Sequence, residues 1–167
     1  MEACNKAMRR PGKATWGCAF AFCVKHGKLM AFFVLRHSES PRTVHEFIYR
    51  RFRKCPRVIF YDNACNAHLF SMFREPNFFK DAIYLIDTLH YPGHIKCSPA
   101  YDSARYDILL SQLGVNNTQI VEQFNSLFKD KRSQLYYFSH VMYLVHLRYF
   151  VYQRIKLQNR QESGLAF

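Results

Sequence analysis

The stretch RVIFYDN, Arg57–Asn63, decides the fold. A short unbroken run of β-branched and aromatic residues that stops at Asp-Asn predicts a strand buried on both faces, as in parallel sheets. A second run of the same kind, AIYLI (Ala82–Ile86), ends in Asp87. Between the two, Ala64–Arg74 carries Leu69, Met72 and Phe73 at helical spacing, and Pro76 punctuates. Strand, helix, strand is therefore the order expected at the centre of the chain.

Upstream, Ser38-Glu39-Ser40-Pro41 has a helix-start signature, a Ser cap with Pro at the first helical position. Val44, Phe47, Ile48 and Phe52 then recur as one apolar stripe. Arg50, Arg51, Arg53 and Lys54 crowd the last turn, where cations suit the helix dipole, and Cys55-Pro56 ends the helix. Further upstream, Thr15–Lys25 and Leu29–Arg36 flank His26-Gly27 and predict an antiparallel hairpin. Downstream, His90–Pro99 reads as a loop, and Tyr101–Leu110, Thr118–Lys129 and Ser133 to Asn159 as helices. The last of these carries Leu135, Phe138, Met142, Val145, Tyr149, Tyr152 and Ile155 along one side. The expectation is one mixed α/β domain over 15–159, with a helical C-terminal half, a basic lead-in at 1–14 and a loose tail at 160–167.

Composition narrows the class. The chain has 167 residues, 49% hydrophobic and 17% aromatic, which excludes disorder for most of it. No run approaches the ~18 apolar residues a membrane helix needs, and the polar, basic start does not look like a secretory signal. Six cysteines are too few for a disulfide scaffold of this length, so a reducing compartment is expected, with cysteines as metal ligands or packed thiols. The net charge of +12 fits a polyanionic partner such as nucleic acid, or serves solubility.

Several residues invite chemistry. Asp62 follows a buried strand at its C-terminal end, where α/β sheets place their sites; it could equally cap the next helix. Glu122 stands in the first turns of a helix whose buried side is marked by Val121, Phe124, Leu127 and Phe128; there it could simply suit the dipole. Together the two carboxylates are what a divalent-metal phosphoryl-transfer site requires, since Mg²⁺ shares carboxylate oxygens with substrate phosphates. Cys65, His90, His94 and Cys97 make a Cys₂His₂ inventory for zinc, although the spacing is that of no standard finger. The same residues could be a loop's exposed histidines and a packed thiol. Cys18, Cys23 and His26 are a second set, with strand alternation setting the two cysteines on opposite faces.

VIFYDNAC (Val58–Cys65), DTLH followed by YPGHIKCSPAY (Asp87–Tyr101) and NTQIVEQFNSLF (Asn117–Phe128), in that order, resemble the catalytic domain of Kyakuja–Dileera–Zisupton (KDZ) transposases. The resemblance spans about residues 16 to 158 and extends to Cys23, His26-Gly27 and Glu39-Ser40. It implies an RNase H-like fold, a mixed sheet of hairpin plus parallel strands, and the DDE chemistry of DNA cleavage and strand transfer. Asp62 matches the second catalytic carboxylate and Glu122 the last, holding Mg²⁺ or Mn²⁺; Asp87-x-x-His90 matches a C/DxxH motif. His94 and Cys97 match a His and Cys beyond it, where zinc is a hypothesis. Implied partners are DNA, as transposon ends or host DNA, and a further copy of the chain, in the nucleus. In the family the first carboxylate lies on a strand before the hairpin, whereas residues 1–16 hold one acid, Glu2, and no strand-like run. The expectation is therefore a core without its first strand or first Asp, which does not cleave. The alternatives are a zinc-stabilised DNA- or protein-binding module domesticated from a transposase, or a nuclease that substitutes Glu2.

Overall fold

The computed structural model describes residues 17–35, 38–115, 117–135 and 137–162. The lead-in at 1–14, Glu2 and residues 163–167 of the tail lie outside them. The chain divides into two compact units, one of Met1–Ser38 with Gln119–Phe167, the other of Glu39–Thr118.

In the first unit, β1 (Gly17–Cys23) and β2 (Lys28–Leu35) pair antiparallel, as the two apolar runs require. Gly27 turns the chain at φ +64°, a conformation that costs glycine nothing. The register slips at Ala21/Phe22, so that Phe22 faces Leu29. That bulge explains why Leu29 is buried while Met30 is 56% exposed. Cys18, Phe20, Phe22, Phe32 and Val34 form the packed face of the hairpin. They meet Phe124 and Phe128 of α5 (Ile120–Leu135) and Leu147 and Val151 of α6 (His140–Glu162). Phe20 lies edge-on to both α5 rings, with centroids 4.7 and 5.2 Å away.

In the second unit, α1 (Pro41–Arg51) starts as its sequence dictates: Ser40 Oγ accepts the Thr43 amide at 3.3 Å and Pro41 opens the first turn. β3 (Val58–Phe60) runs parallel to β4 (Ile83–Leu85), linked by α2 (Ala64–Arg74) and the short α3 (Pro76–Phe79). Ala64, Ala67, Phe79, Leu85 and Ile86 are fully buried, the burial expected of strands covered on both faces. A polar network crosses this core. Tyr84 donates to Ser71 Oγ at 3.0 Å, and Ser71 Oγ lies 3.2 Å from His45 Nδ1.

The chain is thus mixed α/β, with one antiparallel and one parallel strand pair. The structure departs from the sequence expectation in four places. Among the described residues the hairpin and the parallel pair are separate two-stranded sheets, one per unit, and not one mixed sheet. Tyr101–Leu110 is not a helix from its start. Ser98 and Asp102 accept the amides of Ala100 and Ala104, closing successive 3₁₀ turns, and α4 begins only at Asp107 (Asp107–Gln112). The helix expected from Ser133 is broken: α5 runs to Leu135, and Ser139 Oγ, accepting the Met142 amide at 3.4 Å, opens α6. Residues 160–162 of the expected loose tail complete α6.

Candidate metal centre

Two groups of possible ligands lie in the second unit, both built by the β3–β4 pair and the turns that follow it. Val58 pairs with Ile83, Ile59 with Tyr84 and Phe60 with Leu85, so continuing the register sets Asp62 opposite Asp87. Parallel neighbours stand about 4.8 Å apart. Two strands that each end in Asp two residues past their last pair therefore bring both carboxylates to one end of the sheet.

His90 joins them. Its Nδ1 is 2.6 Å from Asp87 Oδ2 and 3.6 Å from Asp62 Oδ1. A carboxylate only accepts, so Nδ1 carries the proton, and the neutral ring keeps its lone pair on Nε2. The other oxygen of Asp87, Oδ1, accepts the amides of Leu89 at 2.8 Å and His90 at 3.1 Å. The Asp87 side chain is 12% exposed, whereas that of Asp62 is 63% exposed. Asp62 does not cap α2: the cap position is Asn63, whose side chain makes no capping bond.

The second group is Cys65, in the first turn of α2, with His94 and Cys97 from the loop after β4. The two Sγ atoms are 3.3 Å apart, and His94 Nδ1 is 3.4 Å from Cys97 Sγ and 4.0 Å from Cys65 Sγ. Zinc bonds of about 2.3 Å to sulfur and 2.0 Å to nitrogen, arranged tetrahedrally, put sulfurs about 3.8 Å apart and sulfur and nitrogen about 3.5 Å apart. The three donors match that spacing to within about half an ångström. Two thiolates and an imidazole also suit Zn²⁺ far better than Mg²⁺. Burial, and then the Cys65 thiol beside it, pushes the Cys97 thiol up to about 11.

Of the four zinc donors expected from sequence, Cys65, His94 and Cys97 come together, and His90 stands instead with Asp62 and Asp87. Spacing along the chain could not separate the two histidines, since both occupy one short loop. The pairing of Asp62 with Asp87 had a visible signal, two short apolar runs each closing on Asp. Glu122 is exposed on α5 and belongs to the other unit from Asp62. Cys23 Sγ and His26 Nδ1 meet at 3.2 Å, and they form no three-donor group among the described residues. No helix among those residues is long and apolar enough to cross a membrane. Compared with known proteins, the chain matches no family model, no curated protein and no solved structure.

Proposed function

We propose that this chain is a transposase-derived DDE domain of RNase H-like type. The reading assigns it binding of divalent metal and of DNA. The observation that carries the reading is the placing of Asp62 and Asp87 at the same end of two adjacent parallel strands, with His90 held on Asp87 at 2.6 Å. The order of these residues along the chain is that of the family's motifs. Asp62 and Glu122 match carboxylates that in the family hold Mg²⁺ or Mn²⁺, an ion that would activate water against a phosphodiester and then the freed 3′-hydroxyl against target DNA. Asp87 fixes the ring of His90, which positions the DNA strand, and exposed Arg and Lys side chains grip phosphates. Of the family's three carboxylates, residues 16–158 match two, Asp62 and Glu122.

The Cys65–His94–Cys97 set supports a structural zinc that ties the loop after β4 to α2. The same set favours a second reading, a non-catalytic, zinc-stabilised DNA- or protein-binding module domesticated from a transposase. Duplex binding with and without Mn²⁺ separates the two. The DDE reading expects Mn²⁺ to strengthen duplex binding, and Asp62→Asn and Glu122→Gln each to abolish that gain. Duplex binding indifferent to Mn²⁺ and to both substitutions would leave only the module.

A further inference from the structure

We propose that the outward face of α6 around Arg148, Tyr149, Tyr152 and Lys156 is a docking surface for single-stranded DNA. At 100° per residue these four side chains fall within one 100° arc of the helix, with Tyr152 near its middle and Arg148 and Tyr149 at its edges. The opposite side carries the buried Leu147 and Val151. Tyr149 is 62% and Tyr152 59% exposed, and Arg148 and Lys156 are exposed beside them. The hydrophobic core of this unit is complete without the two tyrosines.

Charge identifies the partner. The unit that contains α6 has fourteen Lys and Arg against four Asp and Glu, so it holds +10 of the chain's +12. From 131 to 161 there is no acidic residue at all. Among the described residues neither Arg148 nor Lys156 takes part in an ion pair. Cations unopposed along a helix attract a polyphosphate backbone, and exposed rings between them add a surface on which bases stack. Bases in a duplex are already stacked on one another, so the tyrosines select an unpaired strand. An anionic bilayer asks for a continuous aliphatic stripe. Val141 and Val145, 67% and 53% exposed, extend this face toward the start of α6, whereas from Arg148 to Lys156 tyrosines and cations dominate it, and vesicle binding separates the two partners. The inference rests on the transposase reading only in taking the polyanion to be DNA.

Fluorescence anisotropy of the full chain with oligo-dT of about 20 nucleotides, without divalent metal, tests it. The single strand is expected to bind at least about fivefold more tightly than a duplex of equal length. Tyr149→Ala with Tyr152→Ala should weaken oligo-dT binding about tenfold or more, while the double Phe variant, which keeps both rings, stays near wild type. Arg148→Gln with Lys156→Gln should weaken binding and lower the salt slope by about 1.4. Equal or tighter duplex binding, full oligo-dT affinity in the double Ala variant, or tighter binding to phosphatidylcholine–phosphatidylserine vesicles than to oligo-dT would overturn the proposal. Circular dichroism of each variant confirms that α6 is retained. With no metal present, failure here leaves the Mn²⁺-dependent duplex binding of Asp62 and Glu122 untouched, and failure of that binding leaves this face untouched.

Discussion

Asp87 Oδ2 accepts the Nδ1 proton of His90 at 2.6 Å, the shortest link between the end of β4 and the loop that follows. The same carboxylate holds the backbone of that loop through the amides of Leu89 and His90. One side chain thereby sets both the path of the chain and the protonation of the ring.

The tautomer of His90 follows from that bond. Nitrogen-detected NMR of the neutral form should find His90 as the Nδ1–H tautomer, the minor form in free histidine. Asp87→Asn removes the charge that favours it, and the ring should then shift toward Nε2–H. An Nε2–H ring in the wild-type protein would contradict the hydrogen bond as assigned.

The Tyr84–Ser71–His45 chain should be costly to interrupt, because all three residues are buried. Ser71→Ala leaves the Tyr84 hydroxyl and His45 Nδ1 each without a partner, at about 1–3 kcal/mol apiece. Urea denaturation measures the loss. A change below about 0.5 kcal/mol would mean the hydroxyl is not the hinge of this network.

Stability should fall on acidification through the same histidine. Burial lowers the His45 pKa below its ordinary value, outweighing Glu75 and Glu46, which raise it; Arg74 adds to the lowering. Burial lowers His68 in the same direction. The folded state therefore resists protonation that the unfolded chain accepts near pH 6.5. The contribution is complete above about 6.5 and is lost as pH falls below it, by up to about 1.4 kcal/mol per unit for each ring. Denaturation midpoints at pH 7.5 and 5.5 check the sign, and His45→Gln should flatten the slope. A protein more stable at 5.5 than at 7.5 would contradict it.

In the other unit, Phe124 carries the hairpin's contact with α5 and meets Phe20, Phe22 and Phe150 edge-on or tilted. Phe124→Ala should cost about 3–5 kcal/mol, and Leu127→Ala, at a 52% exposed neighbour, under about 1 kcal/mol. Thermal unfolding of the two variants separates them, and equal losses would mean the aromatic cluster is not the core.

What the sequence made legible was local. The hairpin, α1 with its Ser40 cap, α2 and both short strands were readable because each carries its own period and punctuation. Leu127 and the stripe Phe138, Met142, Val145, Tyr149 and Tyr152 were apolar at helical spacing, yet they face outward. Periodicity finds a stripe but does not say which stripe the fold buries; Leu147 and Val151 took that place. The break at 137–139 was hidden because helical spacing continues across it, and a single serine decides where α6 begins. At the site, proximity was set by the β3–β4 register, which distributes Asp62, Asp87 and His90 to one cluster and Cys65, His94 and Cys97 to another. Chain spacing alone contains no such register.

The claim about the site that one measurement tests most directly is that Cys65, His94 and Cys97 hold zinc and so tie the loop after β4 to α2. Zinc-edge X-ray absorption on protein purified without chelator tests it most directly. The expected result is one zinc per chain with two sulfurs at about 2.3 Å and nitrogen or oxygen at about 2.0 Å, lost in Cys97→Ser. Substoichiometric zinc, or a shell without sulfur, would contradict it.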